Sequence, residues 1–269
     1  MEIRENNITK ETLKMNCNVT KKLITGIAAT ALLFAAGITA AMAEEEVPSA
    51  DASVALYSKY VWRGFELSDD SLVIQPSLSV SYMGFGANLW ANLDTDDTSV
   101  DSNLWNETDF TLSYDGAYEK LGYGVGWIYY SVVGSDTQEF YGTLSYDMLL
   151  APSFTIYYDT DGFAGDWYAN LGISHSFMIA ENYSLDLGLS IGYYSIDGGD
   201  PSGSGADYSE FHDGLLSASM SFPINEYVTI TPEIYWSFAL SGDAGDLFEL
   251  GPSNDDNYVY GGISASFSF

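Results

Sequence analysis

Beyond residue 43, apolar and polar residues alternate along the chain with a period of two. From Leu72 to Tyr82 every second residue is apolar, and the residues between them include Gln75 and three serines. The same pattern returns from Tyr183 to Tyr193 and from Val259 to Phe269. Because successive side chains of a strand point to opposite faces, each segment predicts a strand with one apolar face and one face of small or polar residues.

Twelve such segments follow one another along the chain: 52–63, 71–83, 85–94, 107–115, 121–133, 138–148, 153–160, 166–177, 183–196, 214–222, 226–239 and 257–269. Most are close in length to the roughly 9–11 residues with which a tilted strand crosses a bilayer. Short connections alternate with long ones that are rich in Asp, Gly and Ser. This arrangement predicts an all-β fold, an up-and-down antiparallel transmembrane β-barrel of about 12 strands over residues 52–269.

A secreted soluble sandwich also has alternating strands, but two features disfavour it. The exposed face of such a sheet normally carries Lys and Glu, whereas the polar face here is mostly Ser, Gly, Asn and Thr. Aromatic residues also stand near the strand ends, among them Tyr60 and Trp62, Tyr82 and Phe85, and Trp236 and Phe238. That placement is typical of the aromatic girdles at the two interfaces of a membrane barrel.

Residues 1–43 have the pattern of a cleavable signal peptide. Two lysines precede an apolar run from Leu23 to Ala36, and Ala41-Met42-Ala43 forms a small-residue cleavage site. Translation from Met15 would give this peptide a more usual length. A membrane anchor is the alternative, but the short acidic N-terminal segment 44–51 that follows favours cleavage. The predicted location is therefore the bacterial outer membrane.

The charge is strongly negative, with 8 Lys plus Arg against 38 Asp plus Glu. Removing residues 1–43 takes away five of those cations and three of those acids, which leaves three cations, 35 acids and no cysteine. This balance excludes nucleic acid as a partner, because phosphate contacts need clustered cations. Most of the acids lie in the six predicted external loops, which indicates either simple solvation or a negative vestibule that concentrates cations. The acidic loops are also candidate sites for divalent cations, and no other cofactor is predicted.

Face parity assigns a set of charged residues to the lumen. On the first predicted strand Lys59 and Arg63 lie opposite Tyr60 and Trp62, so they point inward if those aromatic residues face lipid. With six inward carboxylates on other strands, the predicted channel-lining set is Lys59, Arg63, Asp109, Glu139, Asp147, Asp159, Asp186 and Glu233. Two interpretations stay open, a transverse field across a wet lumen and internal ion pairs that plug it. A barrel of this size with inward Gly and Ser favours a narrow pore for small solutes.

The opening strands also resemble a known family. Ser58-Lys59-Tyr60-Val61-Trp62-Arg63-Gly64, Gln75-Pro76-Ser77-Leu78, and Gly84 with Leu89-Trp90-Ala91-Asn92 are similar to the start of TorF-family porins. The resemblance implies an outer-membrane barrel with a channel role, and it carries over no functional residues. The terminal strand ending at Phe269 looks like the signal that outer-membrane proteins present to the barrel assembly machinery.

The predicted function is passive diffusion of small solutes, with a preference for cations, through a porin surrounded by outer-membrane lipid and lipopolysaccharide. Enzymatic activity is not predicted, because serine hydrolysis needs a base within reach of the hydroxyl. Of the two histidines, His175 has lipid-facing parity and His212 lies at the margin of an acidic loop, as the one catalytic candidate. The alternative is a barrel without transport that serves as a structural, adhesion or receptor protein, with a lipid-modifying enzyme as the weaker possibility.

Overall fold

A computed structural model of the chain describes residues 47–96, 104–133, 136–180, 183–197 and 207–269. The predicted signal peptide and the loop acids Asp97, Asp101 and Asp200 lie outside these residues. Within the described part of the chain, no helix is both long enough and apolar enough to cross a membrane.

The described residues form twelve long strands, three short strands and one helix. The long strands are β1 (Ser49–Tyr57), β4 (Val73–Tyr82), β5 (Phe85–Asp94), β6 (Trp105–Tyr118), β7 (Leu121–Val132), β8 (Thr137–Tyr146), β9 (Ser153–Asp159), β10 (Trp167–Ala180), β11 (Tyr183–Ile196), β12 (Tyr208–Met220), β14 (Val228–Ala239) and β15 (Asn257–Ser268). The short strands are β2 (Val61–Trp62), β3 (Phe65–Glu66) and β13 (Phe222–Pro223), and helix α1 spans Gly242–Phe248.

The twelve long strands form one closed antiparallel barrel. Each pairs with its neighbours along the chain, β1 pairs with both β4 and β15, and the β12–β14 pairing completes the ring. An even strand number brings the start of β1 and the end of β15 to the same end as the short turns, called here the turn end. At the opposite end, called here the loop end, lie the strand ends that are joined by the longer connections 58–72, 95–104, 133–136, 160–166, 197–207 and 240–256. The prediction of a 12-stranded antiparallel barrel is confirmed.

The outside of the barrel is apolar over its whole circumference. Outward-facing residues such as Leu78, Val125, Phe140, Ile234 and Val259 are each about half exposed or more. Outward aromatic residues collect near the two rims, for example Tyr82 and Tyr146 at the turn end and Trp167 and Trp236 at the loop end. Soluble monomers rarely expose a continuous apolar surface of this extent, so the predicted face assignment agrees with the observed wall.

The lumen has two levels of different character. Near the loop end, every one of the twelve wall strands contributes at least one buried inward side chain. Near the turn end the inward residues are small and partly exposed, including Ser79, Asn88, Thr143, Ser174 and Ser217. The barrel is therefore packed in its loop-end half and lined by small polar groups in its turn-end half.

The first predicted strand, 52–63, is corrected by the structure. β1 begins earlier, at Ser49, and ends at Tyr57; residues 58–72 then leave the wall and fold into the lumen. We call this segment the plug. Tyr60 and Trp62 belong to it, so they are not girdle residues: Tyr60 is 7% exposed and packs on Trp90 with ring centroids 5.7 Å apart.

Two other predicted strand limits are wrong for local reasons. β8 ends at Tyr146, so Asp147 lies in an exposed turn, where its amide bonds to the carbonyl of Lys120. β12 begins at Tyr208 and carries a bulge, because the register slips by one residue between the pairs Ile191–Gly214 and Tyr193–Phe211. A bulge places two consecutive residues on one face. This breaks the alternation on which the predicted start at residue 214 depended.

Candidate functional site: a loop held inside the lumen

A tight hairpin forms the tip of the plug. β2 and β3 pair through Val61–Glu66 and Trp62–Phe65, which leaves Arg63 and Gly64 as a two-residue turn. Both turn residues have positive φ, 47° at Arg63 and 83° at Gly64, as in a type I′ turn. A non-glycine residue in this conformation costs of order 1–3 kcal/mol. Arg63 is therefore held there by the contacts of its side chain.

Those contacts join the hairpin to four consecutive wall strands. The Arg63 guanidinium donates from Nη1 and Nη2 to the two carboxylate oxygens of Glu139 on β8, at 2.7 Å each. Its Cζ lies 4.7 Å from the ring centre of Tyr157 on β9, 4.6 Å from Tyr168 on β10 and 5.9 Å from Tyr194 on β11. Arg63 is 2% exposed. Burial opposes its charge, but Glu139 together with Tyr130 and Tyr194 reverses this, and the pKa of Arg63 is raised.

A second ion pair braces the base of the plug. Lys59 donates to Glu66 and, at 2.5 Å, to Asp70, all three within the same segment. Burial alone lowers the pKa of Lys59, but the hydrogen bonds to Asp70 and Glu66 reverse this, and the net shift is upward. Glu66 also accepts from the Ser253 amide at 3.1 Å, which ties the plug to the connection between α1 and β15.

Helix α1 seats the hairpin from the other side. Its N-cap Ser241 accepts from the Ala244 amide at 3.1 Å, and its last residue, Phe248, is fully buried. Phe65 of the hairpin lies 5.7 Å from Phe248 and 5.0 Å from His212, measured between ring centres. A Cβ atom at Gly64 would lie only 2.0 Å from the Phe248 ring, so the turn passes directly against it.

The predicted channel-lining residues fall into three groups. Lys59 and Arg63 are inside the barrel, but on the plug and in ion pairs, whereas the prediction placed them on the wall. Asp109, Glu139, Asp159 and Glu233 are buried on the inner wall, and Asp186 is a part-exposed inner-wall residue in the turn-end half. Asp147 is not on the wall, because β8 ends before it.

The buried wall carboxylates differ in their partners. Glu233 accepts from Ser264 at 2.8 Å, from Tyr57 at 3.0 Å and from Tyr235. Asp159 accepts from Thr137 and from two backbone amides of the following turn. Asp109 stands apart, since its Oδ1 has no hydrogen-bond partner among the described residues. Glu233 and Asp159 thus accept hydrogen bonds from the wall and its adjoining turn, whereas Glu139 binds Arg63 of the plug.

The structure places the two histidines in different environments. His212 lies within β12 rather than at a loop margin, is fully buried, and shares a hydrogen bond of 2.7 Å with Tyr208 through Nδ1. His175 faces outward, and its Nδ1 lies 2.7 Å from the carbonyl oxygen of Leu149. Within the described ranges, no three His, Cys, Asp or Glu side chains are grouped so that they could hold a metal ion. The expected divalent cations at the acidic loops stay a prediction.

Sequence reasoning missed the hairpin, α1 and the role of Tyr194. One signal was available: Arg63-Gly64 stands between Val61-Trp62 and Phe65, and a glycine at the second of two residues between apolar positions is typical of a two-residue hairpin turn. The alternation gives Tyr157 and Tyr168 inward parity and their burial agrees with this, but no local pattern indicated the guanidinium that contacts both rings.

No protein-family model matches the chain, and no curated protein matches it. Among solved structures, the KdgM porin aligns with a TM-score of 0.51 at 11% identity, covering 82% of this chain and 99% of that one. The NanC porin aligns with a TM-score of 0.50 at 13% identity, over 82% of this chain and 98% of that one. The chain therefore has the fold of outer-membrane porin barrels, and at these identities the likeness shows the fold alone. The TorF resemblance stays a prediction.

Proposed function

We propose that this protein is an outer-membrane channel for the passive diffusion of small cationic solutes, which conducts when the plug leaves the loop-end half of the lumen. The single observation that carries the proposal is that a loop enters the loop-end half of the lumen and packs between the buried inward side chains of the wall. The wall beneath it is lined by small polar residues, which leave room for water. By this proposal, withdrawal of the plug joins this lumen to the loop end.

The location of charge supports a preference for cations. Three cations occur in the described residues, and Lys59 and Arg63 are both on the plug, while Lys120 is exposed in a turn. Carboxylates such as Asp109, Glu139 and Asp186 stay with the wall when the plug moves. The open lumen would then carry acidic side chains without cations opposite them, and such a lining concentrates cations and repels anions.

The apolar exterior and its aromatic rims support placement in the outer membrane. By the same proposal the barrel contacts lipid and lipopolysaccharide, and the assembly machinery inserts it through the strand ending at Phe269. The KdgM and NanC porins carry the word porin in their names, which agrees with a channel role here.

A disulfide staple tests whether the plug is the gate. A Cβ atom at residue 251 would lie 3.6 Å from the Cβ of Glu66, within the roughly 3.5–4.5 Å that a disulfide spans. The double variant Glu66→Cys with Gly251→Cys would tie the plug to the α1 connection, and the mature chain has no cysteine to interfere. Wall residues 188 and 217 offer a matched control, because their Cβ atoms would be 3.9 Å apart. That control is Gly188→Cys with Ser217→Cys.

In planar bilayers, we expect discrete cation-selective conductance from wild type and from the reduced staple, and none from the oxidised staple. The wall control should conduct in both redox states, and Glu66→Ser reports the loss of the Lys59 ion pair without a bridge. Bilayers that stay sealed after many wild-type insertions would refute the channel and favour the structural or adhesion barrel. Equal conductance of the oxidised and reduced staples would refute gating by the plug.

A further inference from the structure

The guanidinium of Arg63 occupies a site that is built almost entirely from the wall. Glu139, Tyr157, Tyr168 and Tyr194 come from four consecutive strands and contact the same planar cation. Tyr130, on the strand before them, donates to Glu139 Oε2 at 2.8 Å and so fixes the carboxylate. The plug itself adds one ring, Trp62, whose centre is 4.3 Å from Arg63 Cζ.

The chemistry of this site selects one kind of cation. A carboxylate that accepts two parallel N–H bonds matches the fork of a guanidinium, which an ammonium cannot reproduce. Tyrosine faces add attraction for a flat, weakly hydrated cation. Only the two terminal nitrogens of Arg63 are bound, because its Nε has no hydrogen-bond partner among the described residues. The site therefore binds the two terminal nitrogens of a guanidinium and tolerates a substituent on its third nitrogen.

We infer that these wall residues form a binding subsite for guanidinium-bearing solutes, and that Arg63 acts as an internal ligand which fills the subsite while the plug is docked. This inference rests on the proposed function, since a solute reaches the subsite only after the plug moves. When Arg63 withdraws, Glu139 is left without a counter-ion in the wall. A free guanidinium can then replace Arg63, and re-docking of the plug expels it.

The test removes the internal ligand and supplies methylguanidinium as the probe, with methylammonium as the matched cation that lacks the fork. In Arg63→Ala, methylguanidinium should reduce the conductance at a concentration at least about tenfold lower than methylammonium, because the guanidinium makes one additional charge-assisted hydrogen bond. The double variant Arg63→Ala with Glu139→Gln should lose this discrimination. Wild type should respond weakly, because its tethered Arg63 competes at a high effective concentration.

A second measurement separates failure of the subsite from failure of the channel. Ligand binding stabilises a fold, so methylguanidinium should raise the thermal unfolding midpoint of detergent-solubilised Arg63→Ala more than methylammonium does, whether or not the protein conducts. If Arg63→Ala does not fold, Gly64→Ala serves in the same assay, because it keeps every residue of the subsite and disfavours docking of the plug. Equal responses to the two cations, or a response that survives Glu139→Gln, would overturn the inference.

Discussion

Replacing Gly64 with alanine should release the plug from its seat. An alanine at φ of 83° costs about 1–2 kcal/mol. Its Cβ would also lie 2.0 Å from Phe248 Cζ and less than 3 Å from both adjoining ring carbons. The Phe248 ring is fully buried between Phe65 and His212, so it has little room to yield, and such overpacking typically costs about 1–3 kcal/mol. The two effects together lower the ratio of docked to undocked plug by roughly 30-fold to 4,000-fold.

Trypsin reports this ratio directly, because only three Lys and Arg residues follow residue 43. Lys59 is buried in the docked plug, whereas Lys120 is exposed at the turn end and serves as the internal reference. When docking and undocking are fast, cleavage tracks the undocked population, so Lys59 should be cut faster in Gly64→Ala by the factor above. Gly242→Ala is the matched control, since a Cβ there meets nothing within 4 Å. Equal cleavage at Lys59 in wild type and Gly64→Ala would refute the packing argument.

Three further predictions use the same cleavage assay. Glu139→Gln leaves the buried Arg63 guanidinium without its counter-ion, which costs about 3–5 kcal/mol, so Lys59 should be cut at least about a hundredfold faster. As the control, Glu226→Gln at an exposed position should leave the cleavage rate unchanged. An unchanged cleavage rate in Glu139→Gln would contradict the stabilising role of the Arg63–Glu139 ion pair. His212→Ala removes a ring packed on Phe65 and should destabilise docking of the plug by about 2–5 kcal/mol. The wild-type protein should show no phospholipase activity. Lipid hydrolysis by wild type that is lost in His212→Ala would instead assign the histidine a catalytic role. Alkaline titration should leave the plug docked up to about pH 10. The pKa of Lys59 is raised in the fold, so its stabilisation is fully present below the ordinary lysine pKa and is lost only as the pH rises through the folded-state pKa. Release of the plug between pH 7 and 9 would show that the Lys59 ion pairs do not control docking.

The wall could be predicted from the sequence because a membrane barrel imposes the same requirement on every strand. Lipid outside and small polar groups inside make the period of two visible in each segment, and short turns divide one strand from the next. The parity that places Glu139 and Glu233 inside depends only on this alternation. It failed at β12, where the bulge at His212 and Asp213 turns both side chains inward.

The plug could not be predicted in this way, because its residues imitate a wall strand. Lys59, Val61 and Arg63 alternate with Tyr60 and Trp62 just as wall residues do, so the period of two continues while the chain leaves the wall. The contacts that distinguish the plug from a wall strand join residues that are far apart in the sequence. Tyr57, the last residue of β1, donates to Glu233, which is 176 positions away along the chain, and Arg63 binds Glu139 on the inner wall. No local pattern encodes contacts of that range.

Under the proposed function, closure of the lumen by the plug is coupled to the charge of the wall. Docking delivers Arg63 to Glu139, while Lys59 pairs with Glu66 and Asp70 within the plug. Arg63 is therefore the plug cation that serves as counter-ion to the wall, and a buried carboxylate such as Glu139 is costly without it. Withdrawal of the plug is then favoured by whatever supplies a replacement cation. A cation in the lumen would hold the channel open, whereas an anion gains nothing there, so selectivity and gating would arise from the same carboxylate.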